Sequence, residues 1–403
     1  MKDKLVQKLV DLEVKRQKES IDLIASENYV SEEVLGLVGS PLTNKYSEGY
    51  PGKRYYPGNE IYDKIEILAQ TRALKAFKLK PSEWSVNVQS YSGSPANLAI
   101  YGALMNPGET LMGMKLASGG HLTHGHRVSF TGRFYNSVQY DVDHGTGLID
   151  YEAIKNLAEQ HHPRIIVSGA TAYPRVIDFQ KIGSIAQRIG AYHVADISHI
   201  AGLVLAGAHP SPFPHADIVM TTTHKTLRGP RGAVIFSRKD FSERIDKAVF
   251  PGLQGGPHNN ITAAKATTFF EALQPAFKKY QQQVVKNAKA LASALKTKGF
   301  ELVTGGTDNH LLLVDLRGIG LDGKAAEQLL EKSGITANRN SIPGDEKPLN
   351  PSGLRIGTPA VTSRGMKEKE MEKIAELIYR AVFKRENVVR EALALAKKFP
   401  LEY

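Results

Sequence analysis

The chain has 403 residues, 41% of them hydrophobic and 23% charged, which excludes a largely disordered protein and leaves room for two or three domains. It contains no cysteine, which excludes disulfide bonds, thiolate-bound metals and a cysteine nucleophile. Its 52 lysines and arginines outnumber its 41 aspartates and glutamates, but they are spread along the chain, so we expect a surface that attracts anionic small molecules rather than a nucleic-acid-binding protein.

The sequence predicts neither a leader peptide nor a membrane span. No apolar run approaches the roughly 18 residues that a span requires. The first residues, Met1-Lys2-Asp3-Lys4, lack the apolar stretch of a signal peptide. We therefore expect a cytoplasmic protein with no membrane partner.

Hydrophobic periodicity divides the chain into three parts. Residues 3–25 predict an amphipathic helix, and residues 41–57 are too rich in Gly, Pro and Tyr for regular structure. Short β-type runs then alternate with helical patterns up to about residue 266. The predicted strands are 85–89, 110–114, 137–140, 164–168, 191–195, 218–222 and 233–236, and the helices between them include 95–105, 151–160 and 179–189.

This alternation predicts an α/β domain on a mostly parallel sheet. The last two strands, joined by residues 227–232, predict an antiparallel edge. Beyond residue 267, long charged helices at 281–298 and 367–397 surround strands such as 310–316, which favours a smaller α+β domain. We therefore predict an N-terminal helical arm over residues 1–40, a large α/β domain over 41–266 and a small α+β domain over 267–403.

Two groups of polar residues follow predicted strands. Ser92-Gly93-Ser94 opens a helix, where glycine, hydroxyls and free amides suit a phosphate, although a plain helix cap would have the same composition. Farther along, polar residues come at three successive strand ends, where ligands of doubly wound sheets bind. They are Thr171, Asp196 with His199, and Thr221-Thr222-Thr223-His224-Lys225. An acid, an imidazole and a lysine beside a phosphate cradle favour pyridoxal phosphate (PLP).

Two other motifs resemble binding sites, but we predict no site at either of them. Residues 318–324 have P-loop spacing, but Ala325 follows where the magnesium-binding hydroxyl would stand. His121, His124 and His126 lie beside Gly119-Gly120 in a predicted loop without a nearby carboxylate, so we predict no metal site there.

Six segments resemble the serine hydroxymethyltransferase family. The most specific are residues 221–232, which contain Lys225, and residues 44–56; the others are 23–28, 118–125, 250–257 and 354–360, in the family's order. The resemblance implies a homo-oligomeric fold-type-I PLP-dependent transferase with a mostly parallel large domain and a smaller α+β C-terminal domain. Such an enzyme interconverts L-serine and tetrahydrofolate with glycine and 5,10-methylenetetrahydrofolate, in amino-acid biosynthesis and one-carbon metabolism.

The resemblance also implies roles around the cofactor. Lys225 would hold PLP as an aldimine, Asp196 would keep the ring nitrogen protonated, and His121 would stack on the ring. His199 and Thr171 would lie near the phenolate oxygen. The phosphate would be held by Ser92, Gly93, Ser94 and His224, and by Tyr46 and Gly256 of a neighbouring subunit.

The remaining implied roles concern the substrates. Arg355 would pair with the substrate carboxylate, assisted by Ser26. Glu48, from across a homodimer interface, would donate and accept protons, with Tyr55 and Tyr56 beside it. The pterin pocket would be lined by Tyr55, Leu116, Gly120, His121 and Leu122.

Several alternatives stay open. Tyr55 and Tyr56 could only pack an interface, His224 could simply be placed by its position before Lys225, and Arg231 is either a site residue or a structural ion-pair partner. A pterin-independent PLP aldolase for threonine-like β-hydroxy amino acids would share Lys225 and Asp196.

The sequence departs from many relatives at three places. Thr171 stands for Ser, Ser198 replaces a small apolar residue, and the loop at 347–351 lacks Ser-Pro-Phe. The last departure leaves open whether the pterin is folate or a methanopterin relative. Dimer or tetramer, and direct displacement or free formaldehyde, are likewise open.

Overall fold

The computed structural model of the chain describes residues 2–345 and 350–402. Its contacts divide the chain into two compact units. We call Asn28–Thr171 with Val176–Gln282 the central unit, and Met1–Glu27, Ala172–Arg175 and Gln283–Tyr403 the terminal unit. The three-part domain division drawn from the sequence remains a prediction.

The described residues form strands and helices in alternation over most of the chain. The strands are β1 (Ile21–Asp22), β2 (Gly49–Tyr50), β3 (Lys53–Arg54), β4 (Trp84–Asn87), β5 (Thr110–Met114), β6 (Asn136–Tyr140), β7 (Ile165–Ser168), β8 (Tyr192–Asp196), β9 (Ile218–Thr222), β10 (Ala233–Arg238), β11 (Glu301–Leu302), β12 (Leu311–Asp315), β13 (Ile335–Thr336), β14 (Asn338–Asn340) and β15 (Gly353–Gly357). The helices are α1 (Lys4–Glu19), α2 (Glu32–Val38), α3 (Glu60–Ala76), α4 (Gly93–Leu104), α5 (Phe130–Phe134), α6 (Tyr151–His161), α7 (Phe179–Ile189), α8 (Ala201–Leu205), α9 (Ser242–Lys247), α10 (Asn259–Ala272), α11 (Pro275–Thr297), α12 (Gly323–Lys332), α13 (Pro359–Ser363), α14 (Glu368–Val382) and α15 (Val389–Lys398).

The central unit is built on a seven-stranded sheet in the order β4-β10-β9-β8-β7-β5-β6. Strands β9, β8, β7, β5 and β6 are mutually parallel, as the alternation predicts. The prediction of an antiparallel edge is wrong in one respect. Strand β10 is antiparallel to β9, but it also pairs with β4, which therefore takes the edge position.

Helix α4 packs its apolar side into the core of the central unit. Ala96, Ile100 and Leu104 are buried among side chains of β5, β7, β8 and β9. Burying such a face is what holds a helix against a sheet, because its own propensity contributes much less. The N-terminus of α4 follows β4, which runs parallel to β9, so the helix opens at the edge of the sheet where β8 and β9 end.

The terminal unit contains a four-stranded antiparallel sheet in the order β11-β12-β15-β14, with its own core. Two expectations for this unit are wrong. The first helix ends at Glu19 rather than residue 25, because Ile21 and Asp22 pair with Ile335 and Thr336 as parallel strands. The helix expected over 367–397 is two helices, α14 and α15, and Arg385 in the turn between them has a positive φ of 56°, which continuous helix does not allow.

Helix α1 is amphipathic, as expected, and its N-terminus is capped by Asp3. None of its residues is buried within the chain, and Leu5, Leu9 and Leu12 are all exposed. Across the described residues, we find no helix with both the length and the apolar composition needed to cross a membrane.

Candidate active site

The carboxylate of Asp196 lies at the carboxyl end of β8 and is nearly fully buried. Its Oδ2 atom is 3.1 Å from Nε2 of His124 and accepts a hydrogen bond from Asn97 at 3.1 Å. The backbone N–H of Ser198 donates to Oδ1 at 3.1 Å. Burial opposes the charge of Asp196, but the hydrogen bonds and positive field of His124 outweigh it and hold the pKa of Asp196 well below its usual range. The acid is therefore ionised and fixed in direction.

His121 joins the same polar network from the loop after β5. Its Nδ1 lies 2.7 Å from the hydroxyl of Thr123, which accepts a hydrogen bond from Asn97 at 2.9 Å. Burial, together with the field of His124, lowers the pKa of His121 to about 4. The imidazole of His121 is consequently neutral at pH 7, which suits a ring that stacks on another ring.

Lys225 lies three residues beyond the end of β9, as the strand-end argument predicts. Its Nζ donates to the hydroxyl of Thr222 at 2.8 Å, and its backbone oxygen accepts a hydrogen bond from Asn28 at 2.9 Å. Thr222 also lies close to the Ser92-Gly93-Ser94 segment. A methyl group placed on Gly93 would come within 2.8 Å of Cγ2 of Thr222. Glycine at position 93 thus permits the loop and the Lys225 segment to approach each other.

The N-terminus of α4 has the properties of a phosphate cradle. Ser92 occupies the cap position, yet among the described residues its side chain makes no capping hydrogen bond. His224, the residue before Lys225, has a buried Nδ1 with no hydrogen-bond partner among the described residues. Burial, and then the charges of Lys225 and Arg231, lower the pKa of His224 to about 3. A helix terminus with free donors and an unpaired buried imidazole nitrogen is suited to an anion.

These observations fit the chemical groups of PLP. Asn97 contacts Asp196 one turn into the helix whose first turn carries Gly93 and Ser94, so α4 links the acid to the phosphate cradle. One helical turn advances about 5.4 Å. An ionised acid, a lysine and an anion cradle stand around one edge of the sheet, which is the donor set that PLP requires.

Thr171 and His199 lie near this group and make hydrogen bonds with neighbouring segments. The hydroxyl of Thr171 donates to the backbone oxygen of Gly120 at 3.0 Å and fixes the loop that carries His121. His199 is buried, and its backbone oxygen accepts a hydrogen bond from Thr226. Ser198 links the ends of β8 and β9, because its hydroxyl accepts a hydrogen bond from the backbone N–H of Thr222 at 3.0 Å.

A second cluster forms around Tyr46 and Glu48. A methyl group on Gly256 would lie 3.4 Å from the ring of Tyr46, and one on Gly255 would lie 3.2 Å from Oε1 of Glu48. The rings of Tyr46 and Tyr56 meet edge to face at 5.1 Å. We call Tyr46, Glu48, Tyr55, Tyr56 and Gly256 the tyrosine cluster. Tyr46 and Tyr55 are 56% and 72% exposed in the single chain.

Buried polar side chains hold the backbone of the tyrosine cluster in place. The guanidinium of Arg54 donates to the backbone oxygens of Ser47 and Gly49 and pairs with Glu66 at 2.6 Å. Asn59 donates to the backbone oxygen of Tyr56 at 2.8 Å. Arg54 and Asn59 could not be predicted from the sequence, because only the folded chain shows which backbone groups they satisfy.

Arg355 lies in β15 of the terminal unit and is largely buried. Its Nε donates to Asn338 at 3.1 Å, and its Nη2 lies 3.5 Å from the hydroxyl of Ser26. The structure therefore brings together the two residues expected to bind a carboxylate. Burial lowers the pKa of Arg355 to about 10, while the charge of Glu27 acts in the opposite direction, so the guanidinium is charged at pH 7.

The residues expected to line a pterin pocket follow β5. Leu116 begins a short 3-10 turn, Gly120 is buried, and Leu122 is 42% exposed. A methyl group on Gly120 would come within 2.0 Å of the backbone oxygen of Met114, so only glycine fits there. Arg231 is exposed. Lys347, Pro348 and Leu349, in the loop that departs from many relatives, lie outside the described residues.

Two residues that hold Asp196 in place were not predicted from the sequence. These are Asn97 and His124. The sequence does contain a signal for His124, because it lies only three residues after His121. The 318–324 segment, which has P-loop spacing, leads into an ordinary helix. Asp322 caps α12 by accepting a hydrogen bond from the backbone N–H of Ala325 at 2.7 Å.

Comparison with protein families identifies a match over most of the chain. The sequence model of the serine hydroxymethyltransferase family matches residues 1–378, which is most of the 403-residue chain. The match includes Asp196, Lys225 and Arg355 as well as the tyrosine cluster. The fold agrees with that family, whose members are fold-type-I PLP enzymes.

Proposed function

The chain belongs to the serine hydroxymethyltransferase family, and we propose that the residues around Asp196 and Lys225 carry out the family's reaction. The enzyme is a PLP-dependent transferase that interconverts serine and glycine, with tetrahydrofolate as co-substrate. The observation that carries the residue assignment is the ionised Asp196 at the same sheet edge as Lys225 and the free donors of α4. The aldolase alternative is not retained, because the family match assigns a pterin-linked transfer.

The residues of the central unit hold the cofactor. Lys225 would hold it through Nζ, which in this chain rests on the hydroxyl of Thr222. Asp196, kept ionised by His124, would hold the protonated ring nitrogen, and the neutral His121 would stack on the ring. The phosphate would be bound by Ser92, Gly93, Ser94 and His224, with His199 and Thr171 near the phenolate oxygen. When bound, PLP supplies an electron sink for the bond broken at the substrate Cα.

Arg355 binds and orients the amino-acid substrate. A planar guanidinium forms two parallel hydrogen bonds with a carboxylate, which a lysine cannot reproduce. Asn338 and Ser26 hold the guanidinium from two sides. Fixing the carboxylate in this way orients the remaining bonds of the substrate Cα.

Glu48 moves the proton of the transferred hydroxymethyl group, and Tyr55 and Tyr56 line the path beside it. The exposure of Tyr46 and Tyr55 in the single chain supports a homodimer in which the tyrosine cluster of one subunit completes the site of the other. Exposed aromatic groups of this kind are enriched at interfaces. Leu116, Gly120, His121 and Leu122, together with Tyr55, would contact the tetrahydrofolate.

The experiment that tests this function follows the carbon atoms. Purified protein with PLP is given serine labelled with ¹³C at Cβ, with and without tetrahydrofolate. We expect glycine and labelled methylenetetrahydrofolate only when both PLP and the pterin are present. Cleavage of serine that is independent of the pterin would contradict the proposal. A cytoplasmic location and the absence of a nucleic-acid partner remain predictions.

A further inference from the structure

We propose that Lys265 is a positioning residue for the phosphate cradle: its ammonium group ties the backbone before α4 to the strand beside Lys225. This inference rests on the proposed function. Lys265 lies in α10 and is 2% exposed. Its Nζ donates to the backbone oxygens of Val88 at 2.6 Å, Ser90 at 3.0 Å and Ala233 at 3.0 Å.

The three acceptors belong to the two segments that frame the cradle. Val88 and Ser90 lie between the end of β4 and Ser92, the cap residue of α4. Ala233 begins β10 and pairs in register with Thr222, whose hydroxyl accepts the hydrogen bond from Lys225. The ammonium group therefore links the phosphate side of the site to the lysine side.

The geometry requires the charged form of Lys265. Three hydrogen bonds from one nitrogen need three N–H groups, and a neutral amine has only two. Burial lowers the pKa of Lys265 to about 7, while the charge of Glu66 in α3 acts in the opposite direction. Glu66 is itself paired with Arg54. Carbonyl dipoles aimed at the nitrogen favour its ammonium form.

The side chain of Lys265 packs closely against the backbone at Gly232. A methyl group placed on Gly232 would come within 2.6 Å of Cε of Lys265 and 3.3 Å of Nζ. Glycine at position 232 thus admits the side chain to the three carbonyls. A positive charge at this place also adds to the field that attracts a phosphate at the start of α4.

The test compares binding of PLP and of pyridoxal, which lacks the phosphate, to the apoprotein. In Lys265→Met, we expect the Kd for PLP to rise roughly tenfold, because that is the usual effect of losing a hydrogen bond from a charged group. The Kd for pyridoxal should rise less than about threefold. The Michaelis constant for serine at saturating PLP should not change. Tyr140→Phe is the matched control, because it also removes a buried hydrogen bond to a strand carbonyl. The hydroxyl of Tyr140 donates to the backbone oxygen of Val167 at 3.0 Å.

A second variant distinguishes the loss of the Lys265 hydrogen bonds from a general loss of folding. Gly232→Ala keeps Lys265 but pushes its ammonium away from the carbonyls, and should weaken PLP binding with the same preference over pyridoxal. Equal weakening for PLP and pyridoxal, or an unchanged Kd for PLP in both variants, would overturn the inference. Failure of the wild-type protein to bind PLP would instead overturn the proposed function, so the two failures are distinguishable.

Discussion

The Nε2 atom of His124 lies 3.1 Å from Oδ2 of Asp196, and both side chains are buried. A buried carboxylate without partners would take up a proton. Here the imidazole of His124, the amide of Asn97 and the backbone N–H of Ser198 keep it charged. The acid that we propose faces the cofactor thus depends on the histidine beside it.

The first prediction concerns this pair. In His124→Leu, Asp196 loses the hydrogen bond and the charge that most oppose the effect of its burial, so the pKa of Asp196 rises. The carboxylate then takes up a proton as the pH falls, and serine turnover at pH 6 relative to pH 8 should drop by roughly tenfold compared with wild type. His144→Leu, at an exposed histidine, is the control. Parallel pH profiles for the three proteins would contradict the assignment.

The second prediction concerns Glu48. Replacing it with glutamine removes a proton donor and acceptor but keeps the shape, so pterin-linked serine turnover should fall by roughly 100-fold or more. Cleavage of threonine-type substrates, which needs no pterin, should be spared. Glu60→Gln, at an exposed glutamate, should leave both rates near wild type. Equal losses in the two reactions would show that Glu48 acts on the structure rather than on the transfer.

The third prediction concerns substrate binding by Arg355. Arg355→Lys keeps the charge but loses the two-pronged contact, and should raise the Michaelis constant for serine by about 10- to 100-fold. Binding of PLP should be unaffected. The control is Arg339→Lys in the neighbouring strand, where the arginine pairs with Glu327 at 2.8 Å. An unchanged Michaelis constant in Arg355→Lys would remove Arg355 from the site.

The fourth prediction concerns stability and pH. Burial, and then the charge of Glu27, raises the pKa of Asp22 to about 7 in the folded chain, against an ordinary value of 3.8. The stability that the protonated carboxyl contributes is therefore full below pH 4 and is lost as the pH rises to 7, because the unfolded chain releases the proton first. An asparagine side chain at this position cannot ionise. The free energy of unfolding of Asp22→Asn minus that of wild type should rise by a few kcal/mol between pH 4 and pH 7, at ~1.4 kcal/mol per pKa unit.

Chemical denaturation at several pH values measures this difference. The asparagine amide oxygen can still accept the hydrogen bond that Ile24 donates at 2.8 Å, so the variant should fold. Curves that stay parallel from pH 4 to pH 7 would show that Asp22 is ionised in the folded chain.

Much of the fold follows from periodicity. Strands β5 and β9 and helix α7 have the predicted bounds, because apolar runs bounded by turn residues mark them clearly. Strand order does not follow, since the position of β10 between β4 and β9 depends on contacts between distant segments. The end of α1 was missed for a similar reason: the partner of β1 lies more than 300 residues later in the chain.

The candidate site divides in the same way. Asp196 and Lys225 were predictable, because parallel strands bring their carboxyl ends to one edge. The residues that hold the site in place were not predictable. The contacts of Asn97, His124 and Lys265 depend on which backbone and side-chain groups are left unsatisfied after folding. A buried polar group is placed by its partners, and those partners are distant in sequence.

The measurement that tests the central claim most directly is the visible absorption spectrum of the protein with PLP, recorded for wild type and for Lys225→Ala. We predict a yellow wild-type protein whose spectrum changes when glycine and tetrahydrofolate are added together. Lys225→Ala should lack the wild-type band, while its circular dichroism should stay unchanged. A wild-type protein that stays colourless after incubation with PLP, or a Lys225→Ala spectrum identical to wild type, would contradict the account.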